Sequence, residues 1–196
     1  RHSSRRTHSA SQWRRSPEPS AQSSTIVREH DSRSEYSQID KQVISQVADL
    51  LINSKKPIIY AGGGVVNAGL EASNLLTELV NLLEAPVTLA LMGLGAVSNK
   101  NQNFLGMLGM HGTYESNLAM HNCDVMLNVG ARFDDRVTGR LNAFAPKSKK
   151  IHIDIDKSSI NKVVHVDFGI VGDCKEVLSL LIKEIKKSHN IKSIQS

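Results

Sequence analysis

Short apolar runs alternate with stretches of helical periodicity from residue 39 onward, and this alternation restricts the folds that the chain can adopt. Each run is brief, and Gly, Pro or charged residues bound it, which is typical of a buried strand. Strands separated by helices need crossover connections and therefore pair in parallel. The sequence thus predicts an open α/β sheet of about five or six mainly parallel strands flanked by helices. The predicted strands are residues 57–61, 86–90, 124–129, 150–155 and 167–171.

Apolar residues at helical spacing predict the helices between these strands. Residues 43–51 and 72–83 each carry such a stripe, and the Gly- and Asn-rich stretch 93–112 is predicted to be a loop. A third helix is expected to begin at Thr113, and the last begins at Cys174, where Asp173 and Glu176 resemble a capping box. The third helix would carry on one face Tyr114, Asn117, Leu118 and His121. The last would turn toward the core Val177, Leu178, Leu181, Ile182 and Ile185.

The composition changes sharply near residue 39. Residues 1–38 contain seven Arg, eleven Ser and no Lys, without apolar periodicity, so they are predicted to be a disordered segment. A misplaced translated stretch, an organelle transit peptide and a nucleic-acid-binding arm are the alternatives. We expect residues 39–190 to form one domain and 191–196 a tail. Because residue 1 is Arg and not Met, the chain is expected to be a piece of a longer protein.

Two absences narrow the class of protein. The longest apolar stretches are interrupted within about a dozen residues, so no transmembrane helix is expected. Cys123 and Cys174 stand alone, which argues against a disulfide scaffold or zinc ribbon and fits a reducing compartment.

The residues that follow each predicted strand carry the functional signal. Parallel strands present their carboxyl ends at one edge of the sheet, and open α/β sheets bind ligands there. Glycines, acids and arginines are therefore expected to converge at that edge. The five segments are residues 62–64, 90–93, 130–136, 154–156 and 172–173.

Two of these segments suggest an anionic ligand. Gly62, Gly63 and Gly64 would let a phosphate approach the backbone, although they lack the GxGxxG spacing and also suit an ordinary tight turn. Beyond residue 38, arginine occurs only at positions 132, 136 and 140, and lysine serves elsewhere. The guanidinium fork pairs bidentately with phosphate or carboxylate, which favours anion binding over the alternative of ion pairs with Asp134 and Asp135.

The remaining polar candidates have weaker signals. Asp154 and Asp156 are not expected to share a metal, but one of them could accept hydrogen bonds from a ribose. Helix capping is the alternative for Asp156 and, more strongly, for Asp173. Met110 could pack on an aromatic ring system and the adjacent His111 could donate to a ligand. No catalytic triad, Cys/His dyad or metal-ligand spacing is present.

Taken together, six segments resemble the central domain of acetohydroxyacid synthase (acetolactate synthase) catalytic subunits, a thiamine-diphosphate (ThDP) enzyme family. The resemblance covers roughly residues 40–188 and implies a Rossmann-like fold. GMHG together with GARFDDRVTG separates it from most ThDP relatives; glyoxylate carboligase, the nearest competitor, lacks the paired acids of FDDR. The segments are KPIIYAGGGV (56–65), LMGLGA (91–96), LGMHGT (108–113), GARFDDRVTG (130–139), IHIDID (151–156) and IVGDCKEVL (170–178).

The resemblance implies an activity and its cofactors. The family condenses two pyruvates, or pyruvate and 2-oxobutanoate, to 2-acetolactate or 2-aceto-2-hydroxybutanoate with loss of CO2, in branched-chain amino-acid biosynthesis. ThDP with Mg²⁺ does the chemistry, and FAD is bound largely by the central domain. Expected partners are the remaining domains of the subunit, a homodimer or tetramer, and a regulatory subunit; no membrane and no nucleic acid is expected. A cytoplasmic location is expected, or plastid or mitochondrion in a eukaryote.

The resemblance also assigns residues. Asp135 and Arg136 match positions that border the family's substrate channel. Ala90 departs from the Thr or Ser of many members, and no catalytic residue is expected here because the catalytic glutamate and the GDG…N metal segment belong to other domains. The positions that match FAD contacts are Gly62, Gly63, Gly64, Ala90, Leu91, Met92, Met110, His111, Gly130, Ala131, Arg132, Asp134, Arg136, Val137, Asp154, Ile155, Asp156, Asp173 and Cys174.

Three other interpretations of the chain's function remain open at this point. The first is glyoxylate carboligase or another ThDP-dependent carboligase. The second is a stand-alone nucleotide-binding module without chemistry of its own. The third is a nucleic-acid partner acting through residues 1–38.

Overall fold

A computed structural model describes residues 39–195 of the chain, with side chains described through Ser188. The predictions for residues 1–38 lie outside the described residues. None of the helices in the described part is long and apolar enough to cross a membrane.

Six strands form one fully parallel sheet, which confirms the predicted α/β class. The strands are β1 (Pro57–Ala61), β2 (Val87–Leu89), β3 (Phe104–Met107), β4 (Val125–Val129), β5 (Lys149–Asp154) and β6 (Phe168–Val171). Their order is β3-β2-β1-β4-β5-β6, so the chain builds outward from β1 and then crosses back to start the other half beside it. That reversal places a topological switch point between β1 and β4, where doubly wound sheets bind ligands.

In residues 39–195, six helices and three 3-10 turns precede, connect and follow the strands. The helices are α1 (Lys41–Asn53), α2 (Gly63–Asn67), α3 (Leu70–Leu83), α4 (Tyr114–Asn122), α5 (Asp135–Thr138) and α6 (Cys174–Gln195). The 3-10 turns are Leu91–Gly93, Leu141–Ala143 and Lys157–Ser159. Side chains fix several starts: Asp40 accepts from the Gln42 N–H at the start of α1, and Thr113 from the Ser116 N–H at the start of α4.

The sheet separates two apolar layers, because successive strand residues point to opposite faces. Ile59 and Ala61 of β1 face a core shared with α1, α3 and α6, whereas Ile58 and Tyr60 face a second layer beneath α4 and the loops after β4 and β5. The stripe predicted for α6 is confirmed, since each of its members is buried, and full burial of such a side chain contributes roughly 1.5–3 kcal/mol. Its members are Val177, Leu178, Leu181, Ile182 and Ile185.

The prediction of an uninterrupted loop over 93–112 is wrong, because β3 lies inside it. The strand has four half-buried residues, and Gly106 within it has φ 91°. Its pairing with β2 also shifts register between Val87 and Leu89. Residues 104–108 are apolar apart from Gly106, but this glycine and the surrounding Gly- and Asn-rich stretch give the segment the pattern of a loop.

The start of α4 is as predicted, and the predicted face of four residues is the one that the helix exposes to solvent. Tyr114, Asn117, Leu118 and His121 are exposed, and Ser116 and Met120 are buried instead. The Ser116 hydroxyl is satisfied by the Thr113 carbonyl, 3.1 Å away, so it can occupy a core position.

Candidate functional site

The five segments that follow the strands meet at one edge of the sheet, as the topology requires. Backbone N–H groups tie neighbouring segments together: Gly62 donates to Val129 (3.0 Å), Ala90 to Ala61 (2.8 Å) and Gly130 to Ile153 (2.8 Å). On the far side, the Gly172 N–H donates to the Asp154 carbonyl at 3.1 Å. The predicted convergence of these segments is therefore confirmed as geometry.

At the switch point, the glycines after β1 and β4 let two backbones pack directly on each other. A Cβ on Gly62 would lie 2.5 Å from the Gly130 carbonyl oxygen, and one on Gly64 would lie 2.7 Å from the Gly130 Cα. The Gly64 N–H also donates to the Gly130 carbonyl at 2.9 Å. Chain packing alone thus accounts for these two glycines, whereas Gly63 faces the Cβ of Met92 at 3.2 Å.

The arginine loop after β4 leaves its guanidinium groups exposed. Asp134 uses its carboxylate to cap α5, accepting from the N–H groups of Arg136 and Val137 at 3.1 and 3.2 Å. Among the described residues, no carboxylate lies within 4.0 Å of Arg132, Arg136 or Arg140. The alternative of an ion-pair cluster therefore finds no contact to support it, and the three forks are available to an anion.

A cleft of about 330 Å³ opens beside this loop. Arg132 and Asp134 line it from the β4 side, Ser159, Lys162 and Val163 from the segment after β5, and the buried Phe133 also contributes. The volume suits part of a cofactor-sized ligand. Sequence reasoning missed Ser159, Lys162 and Val163, because they belong to a segment without a strand end or a special residue type.

The two acids after β5 play different parts. Asp154 is 8% exposed; its Oδ1 accepts from the Asp156 N–H at 2.8 Å, and its Oδ2 lies 3.6 Å from His152 Nε2. Asp156 is exposed and caps the next 3-10 turn, accepting from the Ser158 N–H at 2.8 Å. Hydrogen bonds from the Ser158 hydroxyl and N–H hold the pKa of the Asp156 carboxyl below its usual value.

Both capping interpretations are confirmed. Besides Asp156, Asp173 accepts from the Lys175 N–H at 2.8 Å in the first turn of α6. The neighbouring Cys174 is buried, and that burial, with added repulsion from Asp173 and Asp154, raises the pKa of its thiol to about 12. This side chain is therefore a neutral packing group against Gly130.

The Met110–His111 pair packs beside the arginine loop. The Met110 N–H donates to the Arg136 carbonyl at 2.8 Å, and a Cβ on Gly109 would lie 2.5 Å from that same oxygen. Both side chains of the pair are exposed, Met110 by 70%.

Other candidate residues at this edge also expose apolar surface. Met92 is 76% exposed, and Leu91 and Ile155 are exposed as well. Exposed apolar side chains around the arginine guanidinium groups form the kind of surface that a ligand or another domain covers. Of the remaining candidates, Asp135 is exposed, Ala90 and Val137 are half-buried, and Ala131 is buried.

The strand order, the switch point and the glycine- and arginine-bearing loops at the carboxyl edge define a Rossmann-like α/β domain. The model of the family "Thiamine pyrophosphate enzyme, central domain" matches residues 44–181, and the chain belongs to this family.

Curated proteins similar to this chain are acetolactate synthase large subunits. The chain is 45% identical over 152 residues to the acetolactate synthase large subunit of Buchnera aphidicola subsp. Schizaphis graminum, covering 78% of this chain and 26% of the relative. It is 47% identical over 143 residues to the Escherichia coli isozyme 3 large subunit (73% and 25%), and 41% over 167 residues to that of Cyanidium caldarium (84% and 28%). The chain thus spans about a quarter of the length of these relatives. The resemblance stated from the motifs is confirmed.

Proposed function

We propose that residues 39–190 are the flavin-binding central domain of an acetolactate synthase catalytic subunit, with residues 191–196 as a tail. The observation that carries the proposal is the convergence of five loop segments, with three exposed arginines, at the carboxyl edge of a doubly wound sheet. The names of the relatives, which are acetolactate synthase large subunits, support the choice of this enzyme.

The residues at this edge fit the three chemical parts of FAD. The diphosphate needs cations or N–H donors, which Arg132 and Arg136 supply. The ribose hydroxyls need an acceptor, which Asp154 supplies. The isoalloxazine needs apolar surface, which Leu91, Met92 and Met110 expose at the same edge.

Further residues would contact FAD at its flavin end, at its adenosine end or through backbone groups. His111 and Val137 belong with the flavin end, and Ile155, Asp156, Asp173 and Cys174 with the adenosine end. Asp135 and Arg136 would border the substrate channel. The remaining backbone contacts would come from Gly62, Gly63, Gly64, Ala90, Gly130, Ala131 and Asp134.

In the whole enzyme, ThDP with Mg²⁺ would supply carbanion chemistry for joining two 2-oxo acids with loss of CO2. This chain would hold the flavin and frame the site, and we expect the 196 residues alone not to catalyse the condensation. Its partners would be the other domains, a second subunit and a regulatory subunit. The enzyme would work in a bacterial cytoplasm or, in a eukaryote, in a plastid or mitochondrion.

Flavin titration of the purified chain tests the proposal. We expect FAD to bind and FMN to bind far more weakly, because FMN lacks the adenosine and the second phosphate. Isothermal titration calorimetry with both flavins measures the difference. A chain that binds neither would contradict the proposal. One that binds AMP as tightly as FAD would favour a stand-alone nucleotide-binding module.

A further inference from the structure

His152 is buried in an unusual state for a polar side chain. It lies on β5, is 0% exposed, and neither ring nitrogen makes a hydrogen bond to any described residue. A buried polar group without a partner costs stability, so its presence calls for a compensating role.

The polar side chain next to it across the sheet is already engaged. Asn128 of β4 lies in register with His152, but its amide bonds only to Ala131, accepting from the N–H at 3.1 Å and donating to the carbonyl at 2.7 Å. On the other side, β6 places Gly169 opposite His152, and glycine has no side chain to offer.

Asp154 is the charged group that His152 faces. The two residues are separated by one position on β5, so their side chains share a face of the sheet. Asp154 Oδ2 lies 3.6 Å from His152 Nε2, slightly beyond hydrogen-bond distance, while Oδ1 already accepts from the Asp156 N–H. The carboxylate thus has a neighbour for each of its oxygens and reaches the edge of the sheet with a small exposed fraction.

Aromatic packing fixes the direction of the imidazole. Phe133 meets His152 edge-on, with ring centroids 5.2 Å apart and planes at 69°. Phe133 is itself held by Phe144, with centroids 5.9 Å apart. Because Phe133 also lines the cleft beside the arginine loop, the same ring packs against the histidine and the candidate ligand site.

We propose that His152 is a positioning residue for Asp154: its Nε2–H donates to the carboxylate and holds it in the orientation that accepts a ribose diol of the bound nucleotide. This role rests on the proposed flavin-binding function, since it concerns the adenosine end of the same site. A hydrogen bond that lacks ideal length in the free protein tightens when the ligand pulls the carboxylate into place. The histidine acts only through Asp154 and does not itself reach the ligand.

The pairing of the His152 imidazole with the Asp154 carboxylate can be tested without any ligand. In ¹⁵N-edited NMR spectra of the labelled 196-residue chain, we expect His152 as the Nε2–H tautomer, with an Nε2 resonance that moves in Asp154→Asn. An Nδ1–H tautomer, or an Nε2 resonance indifferent to Asp154→Asn, would overturn the proposal. This NMR measurement tests the pairing of His152 with Asp154 even if the chain binds no flavin. In that case the proposed function would fail, but the pairing would not.

Affinity for FAD tests the positioning role. His152→Phe keeps the buried ring but removes the donor, and we expect it to weaken FAD binding about tenfold, the effect of one hydrogen bond to a charged group. His152→Gln can place an amide N–H near the Nε2 position, and we expect it to recover most of that loss. A merely structural histidine would not show this rescue. Unchanged affinity in His152→Phe, or equal loss in both variants, would overturn the proposal.

A matched control separates this effect from a general change of histidine to phenylalanine. His165 is exposed and precedes β6, at the opposite edge of the sheet. His165→Phe is expected to bind FAD as the parent does. If His152→Phe fails to fold, the comparison of His152→Gln with Asp154→Asn decides: the proposal requires Gln to bind FAD more tightly, and equal or weaker binding would overturn it.

Discussion

Single residues at the carboxyl edge divide into those that pack the chain and those that are free to meet a ligand. Gly62, Gly64 and Gly130 let two backbone segments touch, whereas Arg132 and Arg136 point into solvent without a carboxylate partner among the described residues. We therefore expect changes at the glycines to affect mainly stability and, under the proposed function, changes at the arginines to affect mainly binding. Two predictions separate the two effects.

The first prediction concerns stability at Gly130. A methyl group there would lie 2.8 Å from the Gly64 Cα and 3.0 Å from Cys174 Sγ, at a φ of 58°. We expect Gly130→Ala to lower the free energy of unfolding by about 2–4 kcal/mol, measured by urea denaturation. Gly139 is the matched control, with φ 54° and nothing within 4 Å of its added Cβ.

In Gly139→Ala, only the cost of its glycine-type backbone conformation (φ 54°, ψ −121°) applies, about 1–3 kcal/mol, with no added packing clash. The two variants would show equal losses if backbone packing at the switch point were unimportant. That result would contradict the account of the glycines.

The second prediction concerns the guanidinium group of Arg132 and its proposed contact with the FAD diphosphate. A lysine keeps the charge but loses the bidentate geometry, so we expect Arg132→Lys to weaken FAD affinity about tenfold in calorimetric titration. Lys183→Arg is the control, because it makes the reverse exchange at an exposed position on α6 outside the proposed site. Parent-like FAD affinity in Arg132→Lys would argue against a diphosphate contact at this residue.

At the scale of elements, the sheet is anchored at its amino edge as well as organised at its carboxyl edge. Asp124, just before β4, accepts hydrogen bonds from the Ser54 hydroxyl and from the N–H groups of Lys55 (2.8 Å) and Lys56 (3.0 Å). This one carboxylate ties the connection between α1 and β1 to the start of β4. Burial alone would raise the pKa of the Asp124 carboxyl, but these hydrogen bonds hold it below its usual value.

The third prediction follows from the lowered pKa of the Asp124 carboxyl. A carboxyl whose pKa is lower in the folded chain stabilises the fold above its unfolded pKa of about 3.9, and the contribution is lost as pH falls through the folded value. We expect Asp124→Asn to lower the free energy of unfolding at pH 7 by about 1–2 kcal/mol. The difference from the parent should shrink as the pH falls below about 4.

Unfolding by urea at a series of pH values measures this convergence. Asp49→Asn is the control, because Asp49 lies exposed on α1, and a change of less than about 0.5 kcal/mol is expected for it. A difference between Asp124→Asn and the parent that stays constant down to pH 2 would exclude the linkage.

Helices and strands differ in how well the sequence pattern predicts them. The buried strands and the stripe of α6 were predicted because their periodicity reflects burial on one or two faces. The edge strand β3 was not, because Gly106 and the surrounding Gly- and Asn-rich stretch give this segment the pattern of a loop. The face of α4 that is buried contains Ser116, a residue type that does not by itself indicate burial, and its hydroxyl is satisfied by the carbonyls of Met107 and Thr113.

For the molecule as a whole, the order of the strands decides where a ligand can lie. The chain crosses back beside β1 to begin β4, so the loops after these two strands flank the switch point. A ligand that spans this edge contacts loops from both halves of the sheet and should stabilise the domain as a unit.

The fourth prediction tests this coupling by thermal unfolding. At a free FAD concentration of about 100 times its dissociation constant, linkage gives roughly 2.7 kcal/mol of added stability. We expect the melting temperature to rise with FAD and to change little with the same concentration of FMN. An unchanged melting temperature at saturating FAD would show that the flavin does not bind the folded domain.

The α/β class, five of the six strands (β1, β2, β4, β5 and β6) and the family could be predicted from the sequence, because burial imposes periodicity and the motifs are local runs of residues. Gly62, Arg132 and Asp154 could be singled out for the same reason: each follows a strand that the pattern reveals. Their assignment to FAD stays a prediction.

Which residues from distant segments meet could be read only from the folded chain. The contact of Gly64 with Gly130, the place of Lys162 beside Arg132, and the burial of His152 beneath Phe133 all depend on strand order and loop packing. These contacts join segments far apart in the chain, and local periodicity carries no information about which segments become neighbours.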